Sequence, residues 1–178
     1  MNTPEKISLL YVRLNGFLLL PHFTLFNGDS HSHVDFVGIR PANGKEICNS
    51  LELPVDDELY KAIDSVLGNG SLRQTFGVVG EVKGGKGAEI PEEKNLKYVQ
   101  NFLGGLEILG LSFAWGAGAP KSEKRTVLVG IEHSIDWIKS RVSWMDSNLS
   151  RLSKSGSWNW SDEYMGDVLY LIKIGKFN

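Results

Sequence analysis

The sequence predicts an α/β domain with a mixed central sheet flanked by helices. Three observations carry this expectation. Short apolar runs recur at Phe17–Phe26, His33–Arg40, Phe76–Lys83 and Thr126–Ile131, each of strand length and bounded by turn residues. Stretches with helical spacing lie among them, first Ile7, Leu10, Tyr11 and Leu14, later Leu96, Val99, Leu103 and Leu106. The chain has 178 residues, 42% of them hydrophobic and 22% charged, which suits one domain with a substantial core. No internal repeat or low-complexity tail interrupts it.

Taken in order, Thr3-Pro4 starts a helix, with Thr3 as N-cap and Pro4 at the first helical position. Asn15-Gly16 ends it. Phe17–Phe26 is a strand, Asn27-Gly28-Asp29 a turn, and His33–Arg40 a second strand that stops at Pro41-Ala42-Asn43-Gly44. Residues 43–75 form an insertion holding a short helix over Asp56–Leu67, closed by Gly68-Asn69-Gly70. Phe76–Lys83 is the third strand, followed by the loop Gly84-Gly85-Lys86-Gly87. A helix from near Pro91 is expected to run to Gly110, weakened by Gly104-Gly105. Residues 116–125 read as a Gly, Pro and Lys loop, Thr126–Ile131 as a buried strand, Ser134–Leu152 as a helix and Val168–Ile174 as a final strand. The expectation is a single domain over 1–178, with a core over 3–131 and a C-terminal extension over 132–178.

Composition narrows the function. A net charge of -2 and a pI near 6.1 do not describe a globally basic protein. Contact with nucleic acid would rest on a local basic patch, because nonspecific binding depends on phosphate neutralisation. Cys48 is the only cysteine, so no internal disulfide forms, in keeping with a reducing cytoplasm. Met1-Asn2-Thr3-Pro4-Glu5-Lys6 lacks the order of a secretory signal. Phe17–Phe26 is too short to span a membrane and is broken by Pro21 and His22. The expectation is a soluble cytoplasmic protein without a membrane partner.

Two strands carry an acid among apolar residues: Val34-Asp35-Phe36-Val37-Gly38-Ile39-Arg40 and Val78-Val79-Gly80-Glu81-Val82-Lys83. Positions i and i+2 of a strand share a face, so Glu81 and Lys83 project together. A buried carboxylate is costly unless paired or bound to metal. One reading is structural, a strand-end salt bridge of Glu81 with Lys83 or of Asp35 with Arg40. The other is a site. An Asp on one strand and Glu-x-Lys on the next, in the order helix, strand, strand, strand, helix, strand, resembles the PD-(D/E)xK, or restriction endonuclease-like, nuclease superfamily with its αβββαβ core. The resemblance covers residues 3–131. It departs in two places: Val34 stands where the motif has proline, and the 43–75 insertion lengthens the separation of Asp35 from Glu81.

The resemblance implies metal-dependent hydrolysis of a phosphodiester in nucleic acid, DNA before RNA. It implies Mg²⁺ or Mn²⁺ held by Asp35, Glu81 and the backbone carbonyl of Val82. Lys83 would orient the water or stabilise the charged transition state, and Glu5 would add an acid from the first helix. Two alternatives stand beside it. One is an inactive binding or assembly module with the same fold. The other is an unrelated α/β interaction protein in which Asp35 and Glu81 are structural. The sequence leaves open whether the chain is a monomer or a homodimer.

Other constellations have plainer readings. Tyr98 precedes Gln100, the reverse of the order some members use on that helix, so both read as packing and solvated residues. Gly80 to Gly87 has the spacing of a P-loop, but Gly87 replaces the Ser or Thr that binds Mg²⁺. It reads as a mobile glycine-rich loop with Lys86 near a phosphate backbone. His31 and His33 share a strand face near Asp29 and Asp35, and read as a solvated pair before a zinc site. Lys121, Lys124, Arg125, Lys139, Arg141, Arg151 and Lys154 are interspersed with Glu123, Glu132 and Asp136, as on a mixed solvated face. Trp137, Trp144, Trp158 and Trp160 read as core and lid packing before base stacking.

Overall fold

A computed structural model of the protein describes residues 1–148 apart from 28, 29 and 49. Helix α1 (Thr3–Leu14) opens the chain. Its cap is Asn2 where Thr3 was expected. The Asn2 side chain accepts from the Glu5 amide, and the Glu5 carboxylate accepts from the Asn2 amide, a reciprocal pair that satisfies two otherwise orphaned donors. Ile7, Leu10, Tyr11 and Leu14 are buried on one stripe. Strands β1 (Leu18–Asn27) and β2 (Ser30–Arg40) form an antiparallel pair with Leu18 opposite Ile39.

The insertion follows. It holds the short pair β3 (Ile47–Cys48) and β4 (Leu51–Glu52), helix α2 (Asp57–Leu67) and a 3-10 turn at Ser71–Arg73. Asp56 caps α2 by accepting from Glu58 and Leu59 amides. Then come β5 (Phe76–Lys86), α3 (Glu93–Phe102), β6 (Ile108–Trp115), the hairpin of β7 (Lys121–Glu123) with β8 (Thr126–Gly130), and α4 (Ile131–Asn148). The main sheet runs β1-β2-β5-β6-β8-β7. The β2/β5 pair is antiparallel, while β5/β6 and β6/β8 are parallel. This is a mixed six-stranded sheet flanked by four helices.

The core lies on both faces of the sheet. Residues from α1, α2 and α4, such as Leu10, Tyr11, Leu59 and Ile138, pack with Phe36, Val78 and Phe113. On the other side Leu96 and Val99 of α3 pack with Leu25, Val37 and Val79. Val78 and Val79, neighbours on β5, enter different clusters, as strand alternation requires.

One expectation fails here. The helix expected to reach Gly110 ends at Phe102. Gly104 and Gly105 take φ of 68° and 86°, backbone that glycine adopts without a Cβ clash. They turn the chain into β6, every residue of which is buried up to Ala114. A strand covered on both faces reads as a continuous apolar run with no period of two, so Leu103 and Leu106 extended the helical spacing by coincidence. The fourth strand of the order helix, strand, strand, strand, helix, strand is therefore β6, and Thr126–Gly130 is a further strand.

The late helix also differs in role. Arg141 was expected on a solvated basic face but is buried. Its Nη1 donates to the Leu14 carbonyl and, at 2.7 Å, to the Pro54 carbonyl, and its Nη2 pairs with Glu46. It ties α4 to the end of α1 and to the insertion. Trp137 packs edge-on against Tyr11, 5.4 Å between centroids, and Trp144 packs against Leu53 and Met145. The expected strand Val168–Ile174, with Arg151, Lys154, Trp158 and Trp160, lies outside the described residues. Among the described residues, no helix is long and apolar enough to cross a membrane.

Candidate functional site

Pairing of β2 with β5 places the two strand acids side by side. Phe36 sits opposite Gly80, so Asp35 and Glu81 are the next residues along their strands. Gly80 is required at this level, because a Cβ there would lie 2.0 Å from the Phe36 ring. Asp35 reaches across and its Oδ2 accepts from the Val82 amide at 2.6 Å. A side-chain carboxylate thus bonds to β5 where the chain leaves the regular β2/β5 ladder.

The electrostatics follow from this proximity. Burial raises the Asp35 carboxyl above its ordinary range. The bond from Val82 opposes that rise, and the nearby Glu5 charge adds to it. Glu81 is pushed up to about 7, first by burial, then by the Asp35 charge and the Glu89 charge. The Asp35 charge thus disfavours ionisation of Glu81, while both side chains keep part of their surface open. Lys83, two residues along β5, is pulled up mainly by its bond to Glu89.

The structure thus brings Asp35, Glu81, Lys83 and Glu5 into one electrostatic neighbourhood. Glu5 is also committed locally, since its Oε1 accepts from the Asn2 side-chain amide at 2.6 Å. Neither strand-end salt bridge of the structural reading forms. Lys83 pairs with Glu89. Arg40 is buried, donating to the Tyr60 hydroxyl at 2.8 Å and to the Pro41 carbonyl.

Sequence reasoning missed Glu89. It lies beyond the glycine stretch, most of which is strand where a loop was expected. Strand β5 runs to Lys86, because the β5/β6 register shifts after Lys83 and resumes with Lys86 opposite Trp115. Ser112, opposite Glu81 on β6 and fully buried, donates from Oγ to the Glu89 carbonyl at 2.6 Å. The available signal was an acid closely following three glycines. A second missed cluster lies at α1, α2 and α4. There Asp56 Oδ2 accepts from the Tyr11 hydroxyl at 2.5 Å and contacts His133 Nε2 at 2.7 Å.

The remaining candidates are spread around the molecule. The His31 and His33 rings meet edge to face at 5.2 Å, and His33 Nδ1 is 3.1 Å from the Thr24 hydroxyl. No helix begins at Gly87, since α3 starts at Glu93. Tyr98 is partly buried against the Leu96 and Val99 cluster. Lys121 and Lys124 are exposed, whereas Arg125 donates to the Ile108 carbonyl at 2.9 Å and pairs with Glu93 at 3.4 Å.

Among the described residues, no group of three or more His, Cys, Asp and Glu side chains is arranged to hold a metal ion by itself. The donor set still fits a hard cation in kind. Asp35, Glu81 and the Val82 carbonyl offer oxygen only, and Mg²⁺ keeps several waters and needs only one or two carboxylates. Fold and site together describe a mixed α/β domain with a paired-acid centre where β2 and β5 part. Comparison of the chain with protein-family models, curated proteins and solved structures finds no match.

Proposed function

We propose that this chain is a metal-dependent phosphodiesterase of the PD-(D/E)xK type acting on nucleic acid, DNA before RNA. The observation that carries the reading is the junction of Asp35 with β5. Its 2.6 Å bond to the Val82 amide sets it beside Glu81, with Lys83 on the same strand. The order α1, β1, β2, β5, α3, β6, with β5 and β6 parallel, supports the reading, because it agrees with the core of that superfamily.

In this account Asp35, Glu81 and the Val82 carbonyl hold Mg²⁺ or Mn²⁺. The bound ion would supply a more acidic water and charge stabilisation at the phosphoryl group. Asp35 keeps its orientation through the Val82 amide. Glu81, whose carboxyl is pushed up to about 7 by burial and then by the Asp35 charge, would hold the ion as its carboxylate. The Lys83 ammonium orients the attacking water or meets negative charge developing on the phosphate.

A second reading, an inactive binding module of the same fold, draws on the Lys83–Glu89 pair, which occupies the one ammonium the chemistry needs. Incubation of purified protein with plasmid and single-stranded DNA in Mg²⁺, Mn²⁺ or EDTA separates the two. The nuclease reading expects cleavage in either metal, none in EDTA, and loss with Asp35→Asn or Glu81→Ala in folded protein. Cleavage undiminished in EDTA, or a folded wild type that neither cuts DNA nor binds Mn²⁺, overturns it.

A further inference from the structure

We propose that Glu89 is a positioning residue that stands in for a substrate phosphate: its carboxylate holds the Lys83 ammonium until a backbone phosphate displaces it. The inference rests on the nuclease reading of the site and adds a residue and an exchange to it.

Three observations carry it. Lys83 Nζ pairs directly with Glu89 Oε2, and both side chains are 51% exposed. An exposed pair of this kind is weak and readily exchanged. A carboxylate oxygen on an ammonium also occupies the place a phosphate oxygen would take. Second, the loop that carries Glu89 is pinned at the level of the acids. The buried Ser112 hydroxyl holds the Glu89 carbonyl, and Ser112 is the register partner of Glu81. Glu89 is thus delivered to Lys83 by a bond to the sheet, and the pair is no chance meeting of long side chains. Third, the stretch between them is open. Strand β5 runs on to Lys86, which pairs with Trp115, and nothing lies within 4 Å of a Cβ built on Gly85 or Gly87, so a phosphate can approach Lys83 along that side. Lys83 therefore has one direct anionic partner, and a diester entering beside Asp35 and Glu81 must compete with it.

The test is DNA binding by anisotropy, with a short fluorescein-labelled duplex, in EDTA and in Ca²⁺, over a range of salt. Glu89→Gln removes the competitor and keeps the shape. It should bind about two- to fivefold tighter than wild type, the strength of one exposed ion pair. The same phosphates are neutralised in both proteins, so the log–log salt slope should not change. Glu89→Asp should restore the wild-type affinity, and in a Lys83→Met background Glu89→Gln should gain nothing. Unchanged affinity in Glu89→Gln refutes the exchange, as does a gain that survives Lys83→Met. If wild type cleaves DNA in Mg²⁺ while these results fail, only the role of Glu89 falls. If wild type neither binds nor cleaves, the nuclease reading falls with it.

Discussion

Glu81→Gln should make the metal-free protein more stable at alkaline pH and leave it unchanged at acid pH. Glu81 ionises in the folded chain only near pH 7, against an ordinary value of 4.5. The folded state therefore holds this proton more tightly than the unfolded state. Its contribution to stability is fully present below about pH 4.5 and is lost as pH rises through about 7. Fully expressed, that difference corresponds to about 3.4 kcal/mol. Glu81 is only half-buried, so solvent screening reduces it to about 1–2 kcal/mol. Glutamine has no proton to lose and escapes the penalty. Melting in EDTA at about pH 5 and about pH 8.5 should show equal Tm at the first and a gain of about 2–8 °C for the variant at the second, at about 2–4 °C per kcal/mol for a domain of this size. The reasoning is refuted if Glu81→Gln melts lower than wild type at both pH values, for then the carboxylate is a structural partner. Saturating Mg²⁺ should reverse the order at pH 8.5, because only wild type gains from the ion.

Three further outcomes are expected. Lys83→Met should melt within a degree or so of wild type, keep Mn²⁺ binding by electron paramagnetic resonance, and cleave about a hundredfold more slowly; normal cleavage would reduce Lys83 to a surface partner of Glu89. Asp35→Asn retains an oxygen to accept from the Val82 amide, so circular dichroism should report a folded protein while calorimetry shows Mn²⁺ affinity lost. Arg141→Met leaves the Leu14 and Pro54 carbonyls without their donor and should cost about 3 kcal/mol in urea unfolding; a change under about 0.5 kcal/mol would mean that water replaces it.

Part of this was legible from the residues. The Pro4 helix start, the β-branched run before Glu81 and the i, i+2 relation of Glu81 to Lys83 are local properties, and local rules describe them. What escaped was set at a distance. Strand β6 is buried on both sides, so it has no alternation to betray it, and Leu103 and Leu106 mimic one more helical turn. The adjacency of Asp35 and Glu81 needs the β2/β5 register, which no single segment contains. Glu89 is brought to Lys83 because the Ser112 hydroxyl, on another strand, donates to its carbonyl. Arg141 is a polar residue within a polar pattern, and only three carbonyl and carboxylate acceptors converging from α1 and the insertion make its burial tolerable.

The insertion between β2 and β5 lies in the one connection that separates Asp35 from Glu81 in sequence. In space it is the loop of a wide hairpin. Closing a loop twice as long costs only about 0.6 kcal/mol, so the number of residues between the two acids is nearly free to drift while the Phe36–Gly80 pairing stays put. The contour length from acid to acid is therefore a poor fingerprint for this kind of centre. A search that fixes that spacing passes over chains built like this one. A search that instead asks for a small residue opposite an aromatic one, with an acid on each strand one step further, retains them.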